Sequence, residues 1–139
     1  LDNSTNQNAA FDWLVNVDGM HVCPDQITDV EQRYILSLLY YSTSGQGWTL
    51  TSNYLSASGV CEWFGSRCDA SGQLNRLNFQ ITGNNMVGML PNELSSLDFL
   101  SFLSFPTNDI EGSIPVSLGN LSRLVSLDLD MNNLMGGIP

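Results

Sequence analysis

Asp128, Asp130 and Asn132 stand at alternate positions, as the first ligands of a calcium-binding loop do. Such a loop also needs a glycine for its sharp turn and a bidentate glutamate at its end, and Asn133 and Pro139 occupy those places. Strand alternation accounts for the two aspartates as solvated side chains, so no metal is expected. Cys61 and Cys68 bracket a short segment containing Gly65, which lets the chain turn back so that the two sulfurs meet. Zinc is the weaker alternative, because zinc sites bring cysteines two to four residues apart with more Cys or His nearby, and His21 is the single histidine. A disulfide is the better reading, and it favours an oxidising compartment. Cys23 makes the cysteine count odd, leaving at least one thiol free or paired outside this chain. No nucleophile–base pairing and no glycine-rich phosphate cradle is present, so the chain is read as non-enzymatic, with no cofactor.

The charge balance narrows the partners. Fourteen acidic residues face four arginines and no lysine, a net charge of −10, which argues against nucleic acid and against an anionic membrane surface. The longest apolar stretch, Ile35 to Tyr41, is far too short to span a bilayer, so no membrane insertion by this chain is expected. The chain opens on Leu1, so either a leader has been removed or the sequence starts late. Asn3 and Asn120 head N-glycosylation sequons, Asn3-Ser4-Thr5 and Asn120-Leu121-Ser122.

The elements that position these residues follow from a repeat. Pro91, Pro115 and Pro139 recur every 24 residues, as do Asn84, Asn108 and Asn132 and Gly88, Gly112 and Gly136. That regularity is the sequence signature of a solenoid, a scaffold that presents a surface. Leu103/Phe105 and Leu127/Leu129 alternate with their neighbours, which predicts short strands with one buried face. Asn84, Asn108 and Asn132 then form a structural ladder that satisfies backbone groups where each coil leaves its strand. The first coil is irregular: Phe79 and Ile81 fit the period, Arg76 stands where Leu100 and Leu124 do, and Leu74 and Leu77 are displaced from it.

The same register predicts the solvent-facing lattice on which a ligand would rest. Asn78, Phe102 and Ser126 form one lane, then Gln80, Ser104 and Asp128, then Thr82, Pro106 and Asp130, then Gly83, Thr107 and Met131. Phe102 beside Pro106 is the candidate contact patch, unless the N-terminal segment covers it.

Upstream, a helix is expected over Ala9–Val17, with Ala10, Phe11, Trp13, Leu14 and Val17 at helix-compatible spacing and Gly19 as its stop. A second is expected from Asp29 to Ser42, opened by a capping box at Thr28 and Glu31. Trp13, Trp48 and Trp63 are read as core plugs over the first coil. The division is therefore 1–27, an extension with a short helix; 28–73, a cap; and 74–139, three coils.

Residues 91–139 resemble plant-type leucine-rich repeats, with their LxxLxxLxLxxNxLxGxIP pattern. The run Cys61-x-Trp63-x-Gly65-x-x-Cys68 resembles the paired-Cys motif of that family's N-terminal cap, and the helix before it and the segment Gly47 to Leu55 are similar to caps of algal and bacterial members. The resemblance implies an α/β fold: a right-handed leucine-rich repeat solenoid, with its parallel β-sheet on the concave face and a helical, disulfide-bearing N-terminal cap. It also implies a Cys61–Cys68 disulfide. Ser66 departs from the pattern, standing where a Val is usual. By the same resemblance the chain is a non-catalytic protein- or peptide-binding module of an extracytosolic receptor-like or secreted protein, or of another oxidising lumen. A second expectation is an assembly subunit whose surface is permanently packed. The edge formed by Leu124, Leu127, Leu129, Leu134 and Ile138 calls for further chain or a packing partner to cover it.

Overall fold

The computed structural model describes residues 5–20, 27–79 and 83–139, with the side chains of 27 and 28 outside the description. In chain order the elements are α1 (Asn6–Asp12), a π-helical turn (Trp13–Val17), α2 (Ile27–Ser42), β1 (Ser66–Cys68), β2 (Leu74–Asn78), β3 (Val87–Gly88), β4 (Phe102–Ser104), β5 (Asp109–Ser113), β6 (Ser126–Asp128) and β7 (Asn133–Met135). Among the described residues there are also four 3₁₀ turns: Gly45–Gly47 and Val60–Glu62 precede β1, and Asn92–Ser96 and Val116–Asn120 link the strands of successive repeats.

Two sheets result. One has the order β1-β2-β4-β6, antiparallel between β1 and β2 and parallel thereafter; the other, β3-β5-β7, is parallel throughout. Strands of two to five residues cannot stand alone, and the side chains between the sheets hold them. Leu77, Phe79, Leu94, Leu97, Leu100, Leu103, Phe105 and Ile110 form that core. Pro91 and Pro115 each precede a 3₁₀ turn, and each turn buries a leucine, Leu94 or Leu118. Gly88, Gly112 and Gly136 have φ of 133°, 78° and 86°, which explains the repeated glycine: a side chain there would be strained.

The strand register corrects the lane assignment. Leu77 pairs with Leu103 and Asn78 with Ser104, a separation of 26 residues, whereas Asn84 bonds Asn108 across 24. The first coil therefore carries two more residues than the second (26 − 24), and they fall between Phe79 and Gly83. In the true register Leu74, Leu77 and Phe79 match Leu100, Leu103 and Phe105. Phe79 accordingly stacks edge-on with Phe105, ring centroids 5.2 Å apart.

The asparagines bind main chain. Asn108 Oδ1 accepts from the N–H groups of Asn84 and Met86 at 2.8 and 3.0 Å, and its Nδ2 donates to the carbonyls of Phe105 and Pro106. Asn132 repeats this with the Ile110 N–H and the Phe105 and Leu129 carbonyls. Asn84 exchanges two bonds with the main chain of Leu50.

Upstream of the repeats two helix expectations change. α1 runs Asn6–Asp12, capped by the Thr5 hydroxyl, and widens into the π turn. Ala10 and Trp13 are buried, but Phe11 and Val17 are 61% and 65% exposed: Phe11 lies a quarter turn round α1 from Ala10, and the π turn rotates Val17 away from the Ala10–Trp13 stripe. α2 contains Thr28, so that residue does not sit at the boundary a capping box requires. Trp13, Trp48 and Trp63 are buried. The Trp48 and Trp63 indole N–H groups donate to the carbonyls of Thr43 and Ser58. Cys61 and Cys68 form a disulfide. Gly65 between them has φ 79°, and a Cβ there would lie 2.5 Å from the Phe79 ring.

Candidate binding surface

Alternation along β2, β4 and β6 sends one set of side chains into the core and the other outward. The outward set forms two lanes: Arg67, Arg76, Phe102 and Ser126, and then Asn78, Ser104 and Asp128. Asn78 thus lies beside Ser104 and not beside Phe102 as the sequence period predicts. Pro106, Thr107, Asp130 and Met131 continue the surface beyond the strands. Main-chain bonds from Thr107 to Asp130 and from Asn108 to Met131 join the two turns. Thr107 Oγ1 lies 3.8 Å from Met131 Sδ.

These positions are not equally open. Arg67, Arg76, Thr107, Asp130 and Met131 are exposed; Asn78, Phe102, Pro106, Ser126 and Asp128 are half-buried. Ser104 is expected to face solvent but is fully buried, its hydroxyl 3.3 Å from the Asp128 carboxylate, which lies over it. Asp128 also accepts the Asp130 N–H, so its carboxylate is held in place by two bonds. Phe102 is covered by Arg76, whose guanidinium carbon sits 4.4 Å from the ring centroid. Such a contact holds both side chains against the sheet and leaves the guanidinium edges free.

Arg67 and Arg76 are the members of this surface that sequence reasoning misses. The signal was present: Leu74-Asn75-Arg76-Leu77-Asn78-Phe79 has the same pattern as Leu100-Ser101-Phe102-Leu103-Ser104-Phe105. Anchoring the register on the asparagines hid it.

Of the remaining candidates, Asn120 is exposed at the end of a 3₁₀ turn. Asn3, His21, Cys23, Gln80 and Thr82 lie outside the described residues. Among the described residues no group of three His, Cys, Asp or Glu could hold a metal ion, and no helix is long and apolar enough to cross a membrane. At the far edge of the sheets Leu127 and Ile138 are 37% and 85% exposed, while Leu124, Leu129 and Leu134 are half-buried.

No family model matches the chain, and no curated protein does. Solved structures do. A PEPR1–AtPEP1 structure is 31% identical over 72% of this chain and 14% of its own, with a TM-score of 0.59. The leucine-rich repeat ectodomain of the Arabidopsis receptor kinase HAESA, in complex with an IDA peptide hormone, is 25% identical over 78% of this chain and 17% of its own, at a TM-score of 0.56. A plant ice-binding protein, 23% identical over 82% of this chain and 43% of its own, shares the fold at a TM-score of 0.52. The chain spans less than half the length of each of these proteins.

Proposed function

We propose that this chain, which carries plant-type leucine-rich repeats, is a non-catalytic module that binds a protein or peptide on the outward face of its four-stranded sheet. In this reading the repeats are coils of a right-handed solenoid, the four-stranded sheet is its concave side, and residues 28–73 cap it. The module works outside the cytosol, in a secreted or membrane-anchored protein or in another oxidising lumen, where the Cys61–Cys68 bond persists. The observation that carries the reading is the outward lattice itself. Arg67, Arg76 and Phe102 project from a sheet whose other side is the core, Asp130 extends that surface just past β6, and none of them belongs to the core. Two likenesses support it: HAESA with a peptide hormone, and PEPR1–AtPEP1.

A second reading is an assembly subunit whose repeat surface is permanently packed in a larger complex, and a third probe at position 127 tests it. A photo-crosslinking side chain at position 102, compared with one at the exposed Val116 on a 3₁₀ turn, tests the main reading. Capture of a protein or peptide from the native source at 102 and not at 116 is expected. Equal capture at both positions, or at 116 alone, rules it out; capture at position 127 alone selects the packing role instead.

A further inference from the structure

The four arginines divide into two uses. Arg33 is buried in an ion pair with Asp18, and Arg123 lies over Phe99. Arg67 and Arg76 are opposite each other across β1 and β2, and both are exposed. Among the described residues neither meets a carboxylate. Like charges placed directly opposite each other weaken a sheet. In a chain with fourteen acidic residues, such a pairing left without a carboxylate partner marks a place kept for an outside anion. Arg76 also lies over the Phe102 ring, its guanidinium carbon 4.4 Å from the centroid, a contact that favours one placement of the side chain before any ligand arrives.

The opposite charge gathers at the other side of the same face. Asp128 on β6 has its carboxylate fixed by the Ser104 hydroxyl and the Asp130 N–H, and exposed Asp130 follows it. The face therefore runs from two cations on β1 and β2, past an aromatic ring on β4, to two anions on and after β6. With strands about 4.8 Å apart and about 3.3 Å per residue along them, Arg76 and Asp128 are on the order of 12 Å apart, and Arg67 and Asp128 about 16 Å. An extended peptide covers that span in roughly three to five residues.

Resting on the recognition reading above, we propose that this face selects an extended segment of a protein partner by the order of its charges. An Asp or Glu carboxylate sits on Arg67 and Arg76, where a guanidinium gives paired N–H donors. An apolar side chain lies against Phe102. A Lys or Arg of the same segment reaches Asp128 and Asp130.

The experiment is selection of short random peptides displayed on phage, at low salt, on the disulfide-bonded chain and on its Arg76→Glu/Asp130→Lys variant. The expected result is enrichment of peptides with an acidic and a basic residue three to five positions apart, in one order. The variant keeps Arg67 and Asp128, so each end then carries one cation and one anion; it should lose the charge order, and the original peptides should bind it at least about tenfold more weakly. Both exchanged residues are exposed, so the circular dichroism spectrum should not change; if it does, Arg67→Gln/Arg76→Gln decides the same question through loss of the acidic preference. Peptides that bind both proteins equally and show no charge order overturn this inference. If their binding is lost in Phe102→Ala, recognition by the face still stands. Absence of any enrichment on the unmodified chain overturns both.

Discussion

Arg33 donates to both carboxylate oxygens of Asp18, and this pair fastens the N-terminal helix to α2. Both side chains are 1% exposed. The guanidinium also donates to the carbonyls of Ser56 and Ser58 and lies over the rings of Trp13 and Trp63, so it joins three separate stretches of chain. Taking two charges out of water is costly, and the pair holds because the hydrogen bonds of the guanidinium are so fully used.

Asp18→Ala should therefore cost about 3–5 kcal/mol in urea unfolding, because it leaves a buried cation without a partner. The double variant Asp18→Leu/Arg33→Met should lose less than Asp18→Ala alone. Equal or greater loss in the double variant would show that the carbonyl contacts of Arg33, and not the ion pair, hold this region.

The asparagine ladder predicts a graded series. Asn108→Ala strips a hydrogen bond from the buried N–H groups of Asn84 and Met86 together, which should cost about 2–5 kcal/mol. Asn132→Ala frees the Ile110 N–H at a half-buried site and should cost about half as much. Urea midpoints in the opposite order would mean that the ladder is not held by these bonds.

What the sequence made legible was set by local regularity. The Asn–Gly–Pro period, the inward Leu positions and the buried tryptophans each follow from a spacing or a residue type. Three features did not. The register of the first strand is fixed by Leu77 meeting Leu103 in space, and the two extra residues before Gly83 break the count that sequence offers. The burial of Ser104 depends on Asp128, a neighbour only after the coils stack. The Arg33–Asp18 pair joins residues that no periodicity links. All three depend on contacts between elements, and these also decide that Arg67 and Arg76 share a surface with Phe102.

The disulfide yields a covalent prediction. Peptide mapping without reduction should recover Cys61 linked to Cys68. Replacing both with serine should lower stability by about 2–3 kcal/mol, the loop-entropy contribution expected for so short a ring. Recovery of Cys23 linked to either partner would refute the assignment.

Alkaline pH should loosen the fold through Tyr54. Its phenol is buried and donates to the Leu36 carbonyl, and burial pushes its pKa far above the ordinary value of 10.0. Tyr34 and Tyr41 are raised as well, first by desolvation and then by nearby groups, Glu93 for Tyr34 and Tyr40 and Asp12 for Tyr41. A raised phenol pKa means that the folded state keeps a proton which the unfolded chain releases. The stabilisation is thus complete below about pH 10 and is lost above it, by up to about 1.4 kcal/mol per pH unit for one fully buried phenol. Tyr54→Phe should flatten this slope in urea titrations at pH 9 to 11, at the cost of one hydrogen bond at neutral pH. An unchanged slope would assign the alkaline loss to other groups.

Ser66 provides the last test. It lies on β1 opposite Leu77, its side chain faces the core, and its hydroxyl is buried without a hydrogen-bond partner among the described residues. An unsatisfied buried hydroxyl carries a desolvation cost of about 1–3 kcal/mol. Ser66→Val replaces it with apolar surface against Leu77 and should raise stability by about 1 kcal/mol. Ser66→Ala separates the two contributions, since it removes the hydroxyl without adding bulk. If Ala stabilises and Val does not, the site is already filled and overpacking cancels the gain. If both destabilise, the hydroxyl has a partner in solution, and the buried-hydroxyl account fails.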